Sequence, residues 1–397
     1  MSVNQISLNE LNEYEWWSYW GNHLKNDYFY AIKSDFFREP LFNRVGFLSG
    51  NAELPSDLIN SDMSFFVPIA KGYWDVEKRL LTAGYIAVDR LDIYNFKKPI
   101  IKDENGVEII KGKDIDKWIS TYVRSFEEDI NLIPYIRDSL KRALADGKTS
   151  LIAKMDGNVF SGVAAVYEGE ISVGVYCVGV LPEYRHRKIG TSLVNFASTF
   201  TDKPIFLQAF SSAALGKFYK KSGFELIYSK EVLKKSISNK CGSCFTNFYV
   251  KRDARPGIYN LNQIFVGLDG CISANLNFST NELESTKVII ENTRGYMHVL
   301  DGKVRVNLQY LQVADIRFLY LDILHELIHI SQSIKGENLY DTRFTYFNRP
   351  TEIEAYRFAI SEAQKIGMNT AEIKEYLKVE WVSEGEFNDF LKLMNLN

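Results

Sequence analysis

The chain has 397 residues, 46% of them apolar and 24% charged, and a formal net charge of -3. This length accommodates two or three domains with cores of their own. The near-neutral charge gives no general electrostatic reason to expect nucleic acid or an anionic membrane as partner. No apolar run reaches the roughly 18 residues of a membrane-spanning helix, and the polar first fifteen residues predict no signal peptide. With only four cysteines, we expect a reducing, cytoplasmic setting rather than a disulfide framework.

Residues 1–105 are predicted to form a first unit. It opens with an aromatic helical stretch around Trp16, Trp17 and Trp20. A strand, a short helix, a glycine stop and a second strand follow, and the same order recurs later in the chain. The first copy covers 63–70, 75–82 and 85–96, and the second covers 205–210, 213–221 and 225–233. We interpret the first unit as a degenerate copy of the later half of the second.

Residues 106–252 are predicted to form a second unit of mixed α/β structure. Apolar periodicity predicts two helices, at 114–126 and 132–145, after a short strand at 107–110. Two strands, 150–155 and 159–167, are joined by Asp156-Gly157, a strong hairpin signal. A helix at 187–200, the later copy of the repeat and a last strand at 245–250 complete the order βααββββαβαβ(β).

The stretch from Ser172 to Thr191 organises this second unit. A valine-rich strand ends at Pro182, and a cationic turn then leads into a helix through Gly190. Because the first turn of a helix presents free backbone N–H groups and a positive dipole end, this arrangement predicts an anion site.

These residues resemble the GCN5-related N-acetyltransferase (GNAT) superfamily over about 106–250. The family's phosphate-loop pattern, Gln/Arg-x-x-Gly/Ala-x-Gly/Ala, falls on Arg185 to Gly190, where Lys188 departs from it by replacing a small residue with a cation. A second family signature is present at 218–224, Phe-Tyr-Lys-Lys-Ser-Gly-Phe. The resemblance implies a mixed central sheet, acetyl-CoA as co-substrate, and a non-catalytic N-terminal domain in residues 1–105.

The same resemblance implies the site residues. Tyr219 would be the acid that protonates the departing thiolate, since a phenol is protonated at neutral pH. The pantetheine and pyrophosphate contacts would come from Cys177, Val178, Gly179, Val180, Arg185, Arg187, Lys188, Ile189, Gly190 and Thr191. The general base stays open among Glu127, Glu128, Glu168, Glu170 and a water relay, each carboxylate being also compatible with a solvated surface position.

After the charged segment 251–257, residues 258–397 are predicted to form a third, α+β unit. Its centre is His325-Glu326-Leu327-Ile328-His329 on a helix predicted at 316–333. Two imidazoles four residues apart lie on one helix face and can bind one zinc ion, and Glu326 is placed to act on a metal-bound water. A structural zinc or redox role for Cys241 and Cys244 is less favoured than a hairpin loop with two incidental thiols.

A third protein ligand is expected from the following helix, predicted at 351–363. Thr351 and Glu354 match a capping box, which would give Glu354 a structural task. We therefore favour Glu352 as the ligand, with Glu354 as second choice. This part resembles the zincin metallopeptidases of the gluzincin, ImmA/IrrE-like type over about 285–365. Tyr356 stands where several gluzincins have aspartate, so another group, with Asp322 as one candidate, would have to orient the histidines.

Three functions follow as hypotheses. The first is a bifunctional enzyme, in which an acetyl-CoA-dependent N-acyltransferase of an amine-bearing small molecule, peptide or protein is fused to a zinc peptidase that aligns its substrate on the strand predicted at 304–310. The second is a small-molecule N-acetyltransferase whose zincin-like part is structural or gating. The third is an acyl-CoA-sensing regulator whose zincin part cleaves a repressor. The acceptor amine, the scissile bond and the oligomeric state stay open.

Overall fold

The computed structural model describes residues 3–97, 106–199, 201–235, 244–268, 285–293, 295–379 and 382–396. Cys241 of the predicted Cys-x-x-Cys pair and Cys271 lie outside these residues. Among the described residues, no helix is both long and apolar enough to cross a membrane.

The helices are α1 (Val3–Trp17), α2 (Ser56–Ile59), α3 (Trp74–Thr82), α4 (Ile115–Phe126), α5 (Ile133–Ala145), α6 (Ile189–Ala197), α7 (Gly216–Lys221), α8 (Leu261–Ile264), α9 (Leu308–Val313), α10 (Ile316–Ile334), α11 (Pro350–Lys365), α12 (Thr370–Tyr376) and α13 (Glu384–Leu393). The strands are β1 (Asn22–Lys25), β2 (Phe29–Lys33), β3 (Asn43–Phe47), β4 (Ser64–Pro68), β5 (Tyr85–Phe96), β6 (Val107–Ile109), β7 (Thr149–Asp156), β8 (Val159–Glu168), β9 (Val173–Val180), β10 (Ile205–Phe210), β11 (Phe224–Lys235), β12 (Tyr249–Val250), β13 (Gly257–Asn260), β14 (Phe265–Val266), β15 (Lys287–Glu291), β16 (Met297–Leu300) and β17 (Lys303–Asn307).

A mixed sheet of eleven strands confirms the predicted α/β class. Its order is β1-β2-β3-β4-β11-β5-β10-β9-β8-β7-β6. The two copies of the predicted repeat, β4-α3-β5 and β10-α7-β11, meet at its centre. Strands β5 and β11 pair antiparallel with each other, and each also pairs with the first strand of the other copy. The units predicted at 1–105 and 106–252 therefore share one sheet, and their strands alternate at its centre, in the order β4-β11-β5-β10.

The alternation of strands from the two copies explains why the strand predicted at 245–250 is wrong. Only Tyr249–Val250 is extended, and it pairs with Phe265–Val266 in a separate two-stranded sheet. The position between β10 and β11 in the large sheet is already filled by β5. The helix predicted to reach residue 200 ends at Ala197.

Helices cover both faces of the large sheet. A Cβ on Gly162 would lie 2.7 Å from Ile189 of α6, whereas a Cβ on Gly179 would lie 2.8 Å from Ser125 of α4. Gly162 and Val163 are neighbours in β8, and Val163 pairs with Gly179, so α4 and α6 lie on opposite faces. Close approach of the helices therefore requires glycine at both strand positions.

A fully buried charge cluster attaches α1 to the sheet. Lys230 donates to Glu10 and to Glu13 at 2.6 Å each, and Arg44 donates to Glu13 at 2.6 Å. All four side chains have no exposed area. Two cations thus face two carboxylates, and the pairing offsets the cost of removing four charges from water.

The third unit has a four-stranded sheet, in the order β13-β15-β17-β16, against which α10 packs. Arg252 connects this unit to the large sheet. Its guanidinium donates to Glu77 of α3 and Glu231 of β11, and also to the carbonyl oxygens of Leu311 and Ala314. One buried cation therefore joins all three predicted units.

Two candidate active sites

The first candidate site is built on a distortion of β9. Val163 pairs with Gly179 and Ala165 with Tyr176, so two residues of β9 stand opposite Ala164 alone. The extra residue is accommodated at Cys177, whose φ is +55°. Such a bulge bends a strand and redirects its side chains.

Beyond the bulge, β9 separates from its parallel neighbour. The described residues pair β9 with β10 only at Val173, Gly174 and Val175. The segment Cys177 to Val180 consequently has a strand edge without a ladder partner on the β10 side. Peptide groups on that edge are available to an extended amide-containing ligand, which is the chemistry of pantetheine.

The cationic turn follows directly. His186 and Lys188 have φ values of +66° and +60°, so Lys188 adopts the left-handed conformation that suits the small residue of the family pattern. His186, Arg187 and Lys188 are exposed around the first turn of α6. Arg185 instead braces the turn, since its guanidinium donates to the carbonyl oxygens of Ser125 (3.1 Å) and Val180 (3.4 Å).

Helix α7 closes this site from the other side of the turn. A Cβ on Gly190 would lie 3.0 Å from Phe218 Cζ, so glycine permits the close approach of α6 and α7. Thr191 Oγ1 lies 3.3 Å from Ser222 Oγ. Tyr219 is buried and packs on Tyr94, with ring centroids 5.5 Å apart, and burial raises its pKa to about 12.

The second candidate site lies at the contact of α10 with α11. His325 and His329 are one turn apart in α10, and their Nε2 atoms are 3.0 Å from each other. Glu352 Oε2, from α11, is 3.3 Å from His325 Nε2 and 3.5 Å from His329 Nε2. The structure thus brings the three predicted ligands together, all of them buried.

These distances suit a tetrahedral zinc ion. Zinc–ligand bonds of about 2.0–2.1 Å at tetrahedral angles place two ligand atoms about 3.3 Å apart. Glu352 Oε2 is buried without a hydrogen bond of good geometry, although it faces two imidazole nitrogens. A divalent cation would satisfy all three ligand atoms at once.

The three side chains of the cluster shift one another's pKa values. Burial lowers the pKa of His325. Burial also opposes charge on His329, but hydrogen bonding to Glu352 and the charges of Glu326 and Glu352 raise its pKa to about 9. Against its own burial, Glu352 has a pKa lowered to about 2 by the two histidines.

Gln332 orients His329, a role that the sequence analysis missed. His329 Nδ1 lies 2.8 Å from Gln332 Oε1, and Gln332 Nε2 donates to Thr351 O (3.1 Å) and Glu354 Oε2 (2.8 Å). Glu354 is therefore a partner of Gln332 and lies outside the three-ligand cluster. Gln332 follows His329 by three residues on a helix, so helical spacing was the available signal.

One expectation about neighbouring residues is wrong, and one open candidate has another partner. The capping box is absent because Pro350 already starts α11 and Thr351 lies inside the first turn, with its hydroxyl unpartnered. Asp322, one candidate for orienting the histidines, accepts a hydrogen bond from Tyr310 (2.5 Å), and among the described residues no hydrogen bond joins it to a histidine. Burial raises its pKa to about 6, with hydrogen bonds to Tyr310 and Tyr376 opposing. Tyr356 packs its ring on His325 instead, with centroids 4.4 Å apart.

Glu326 lies between the cluster and an edge strand. Burial raises its pKa to about 8, and a hydrogen bond to the backbone of Val299 opposes this. A cavity of about 360 Å³ borders His325, Glu326 and His329 on one side and β16 on the other. The edge strand is therefore β16, whereas the predicted strand β17 lies inside the sheet and ends at Asn307, which caps α9.

Comparison with known proteins bears on the first site. Residues 146–226 match the family model of the acetyltransferase (GNAT) domain. The chain thus contains a GNAT domain, which spans β7 to the start of β11. The match includes the phosphate loop and Tyr219, and it implies acetyl-CoA as the acyl donor. No curated protein matches the chain.

Comparison with solved structures returns GNAT proteins among its matches. A GCN5-related N-acetyltransferase from Kribbella flavida is 12% identical, with a TM-score of 0.45, and the alignment covers 60% of this chain and 98% of that one. A GNAT-family acetyltransferase from Colwellia psychrerythraea is 10% identical, with a TM-score of 0.39 and coverages of 58% and 96%. A conserved protein from Staphylococcus epidermidis, described as functionally unknown, is 13% identical, with a TM-score of 0.40 and coverages of 55% and 95%.

Proposed function

We propose that this chain is an acetyl-CoA-dependent N-acyltransferase joined to a zinc-dependent peptidase. The GNAT match supports the first activity. The observation that carries the second is the convergence of His325, His329 and Glu352, whose ligand atoms lie within 3.5 Å of one another beside Glu326. Amine-bearing small molecules, peptides and proteins are the acceptor classes.

In acyl transfer, an amine attacks the thioester carbonyl of acetyl-CoA and the thiolate leaves as CoA. The unpaired edge of β9 from Cys177 to Val180 supports binding of the pantetheine amides. Exposed Arg187 and Lys188 beside the first turn of α6 supply positive charge for the pyrophosphate. Tyr219 is protonated at neutral pH and donates its proton to the leaving sulfur. The proton that the amine loses passes to the general base or a water relay, and a proton from solvent restores Tyr219.

In peptide cleavage, His325, His329 and Glu352 would hold the metal and leave a fourth position for water. Bound zinc would supply Lewis acidity and lower the pKa of that water to about 7. Glu326 would accept the proton of the attacking water and return it to the leaving amine. Gln332 keeps the Nε2 lone pair of His329 directed at the metal by accepting the Nδ1 proton.

Elemental analysis of the purified chain tests the metal site. We expect about one zinc per chain in the wild-type protein and in Glu354→Ala, and loss of zinc in His325→Ala and Glu352→Ala. Glu354 is the matched control because it is a glutamate of the same turn of α11 that accepts a hydrogen bond from Gln332 and lies outside the three-ligand cluster. Absence of zinc from the wild-type protein, prepared without chelators, would refute the proposed peptidase.

Thermal unfolding with acetyl-CoA tests the acyltransferase. A ligand that binds only the folded state raises the melting temperature by mass action, by about 2.7 kcal/mol at a hundredfold excess over Kd. We expect this shift in wild type and in Tyr219→Phe, which removes only the acid. Release of free thiol should then fall in Tyr219→Phe, and unchanged release across the pH range would exclude Tyr219 as the acid.

A further inference from the structure

Two further cavities run from the metal cluster toward the acyltransferase half. The inner cavity, about 390 Å³, borders His325 and Glu326. The lysine cavity, about 520 Å³, lies between α7 and α12. Both are lined by Arg90, Leu226, Glu375 and Lys378. Because these four side chains border both spaces, the two cavities adjoin, and the ion pair between Arg90 and Glu375 lies at their common wall.

The lysine cavity carries an excess of positive charge. Its lining contains five cations against three carboxylates. Arg90 pairs with two of those carboxylates, Asp92 at 2.8 Å and Glu375 at 2.9 Å. Among the described residues, no ion pair engages the remaining four cations, Lys217, Lys220, Lys374 and Lys378.

Lysines of α7, of α12 and of the residues just after α12 are thus brought to one concave surface, where, of the described lining carboxylates, Glu384 is the one that Arg90 does not pair. Like charges on one cavity wall repel, and a concave wall of low dielectric concentrates their field. An anionic ligand would offset this repulsion. Apolar walls from Tyr94, Phe210 and Phe387 add surface for aliphatic or aromatic side chains.

We propose that the two cavities form one substrate cleft, in which an acidic peptide segment binds the four lysines while the bond to be cleaved lies at the metal cluster. This inference rests on the proposed peptidase and adds its substrate class. The adjacency of the lysine cavity to the cavity at the metal cluster favours an extended polypeptide over a compact anion, because only an extended ligand is long enough to occupy both cavities. Tyr94, in the wall of the lysine cavity, packs on Tyr219, so the same cleft approaches the acyltransferase acid.

Fluorescence anisotropy of the full-length Glu326→Gln protein, which retains the cleft but lacks the proton acceptor, tests this cleft. The probes are fluorescein-labelled decamers of glutamate and of glutamine. At 50 mM salt, we expect the glutamate decamer to bind at least tenfold more tightly, with affinity that falls as salt screens the lysines. Equal binding of the two decamers would overturn the proposal, as would a preference for inorganic phosphate or ADP without binding of the acidic decamer.

Charge reversal locates the site. The added substitutions Lys217→Glu and Lys374→Glu should together weaken glutamate-decamer binding by tenfold or more. The matched control, Lys113→Glu with Lys335→Glu, makes the same charge change at exposed lysines that line neither cavity, and should change the affinity less than twofold. Equal losses in both pairs would refute the site. If the protein binds no zinc but still prefers the glutamate decamer, the proposed peptidase is refuted and the acidic-peptide cleft stands. If the protein binds zinc but does not prefer the glutamate decamer, this inference alone is refuted.

Discussion

Replacing Gln332 with methionine tests whether the buried amide prepares His329 for the metal. The substitution keeps a similar volume but removes the oxygen that lies 2.8 Å from His329 Nδ1, at a position with no exposed area. An unpaired buried donor costs about 1–3 kcal/mol. Loss of a group that orients a metal ligand typically lowers metal affinity 10–100-fold, which corresponds to about 1.4–2.7 kcal/mol. The two magnitudes agree, so we expect a zinc Kd raised 10–100-fold.

Competition with a chromophoric chelator measures this Kd, and the visible spectrum of the cobalt-substituted protein reports the ligand geometry. A purely structural role would lower stability without changing the spectrum of the remaining bound cobalt. Glu354→Ala is the control, because it removes the hydrogen bond between Gln332 and Glu354 but leaves the contact between His329 and Gln332. An unchanged Kd in Gln332→Met, or an equal loss in Glu354→Ala, would contradict the reasoning.

Three other predictions concern stability. Lys188→Gly should raise the free energy of unfolding by about 1 kcal/mol, because the left-handed conformation at +60° costs a residue with a side chain that much, and it should also weaken acetyl-CoA binding. Lys188→Ala keeps the Cβ and should only weaken binding. Denaturant unfolding measures the stability change, and ligand titration measures the change in binding. In the metal-free protein, Glu326 binds its proton more tightly in the folded state than in the unfolded state, so its ionisation should lower stability as pH rises from about 4.5 through about 8. Urea unfolding should therefore show a flatter pH profile of stability for Glu326→Gln than for wild type. Parallel profiles of the two proteins would contradict the raised pKa. Arg252→Met leaves Glu77 and Glu231 buried without their cation and should cost about 3–5 kcal/mol, whereas Lys392→Met, at an exposed pair with Asp389, should cost less than about 1 kcal/mol.

The sequence predicted elements well where periodicity is strong. The strand 85–96 and the helix carrying His325 and His329 have nearly their predicted bounds, because long apolar patterns fix the buried face. The helix and strand ends that the sequence did not predict correctly are set by single polar residues. One example is Asn307, whose side chain caps α9 and so ends β17. Strands β1, β2 and β3 were not predicted at all.

The pairing of strands could not be predicted. Alternation of apolar residues reports which face of a strand is buried, and it does not specify the neighbouring strand. The interleaving of β5 and β11 therefore needed the structure. The metal cluster was predictable because its spacing is local to one helix, whereas the lysine cavity joins α7 and α12, which are far apart in sequence.

The exchanged strands also decide how this protein can be divided and how it folds. A fragment beginning at residue 106 would lack β5, leaving β10 and β11 with unpaired edges and apolar side chains exposed at the middle of the sheet. The central ladder joins residues more than a hundred positions apart, so it forms only after much of the chain has been synthesised. We expect slow, cooperative folding in which neither half reaches its native structure before the other is present.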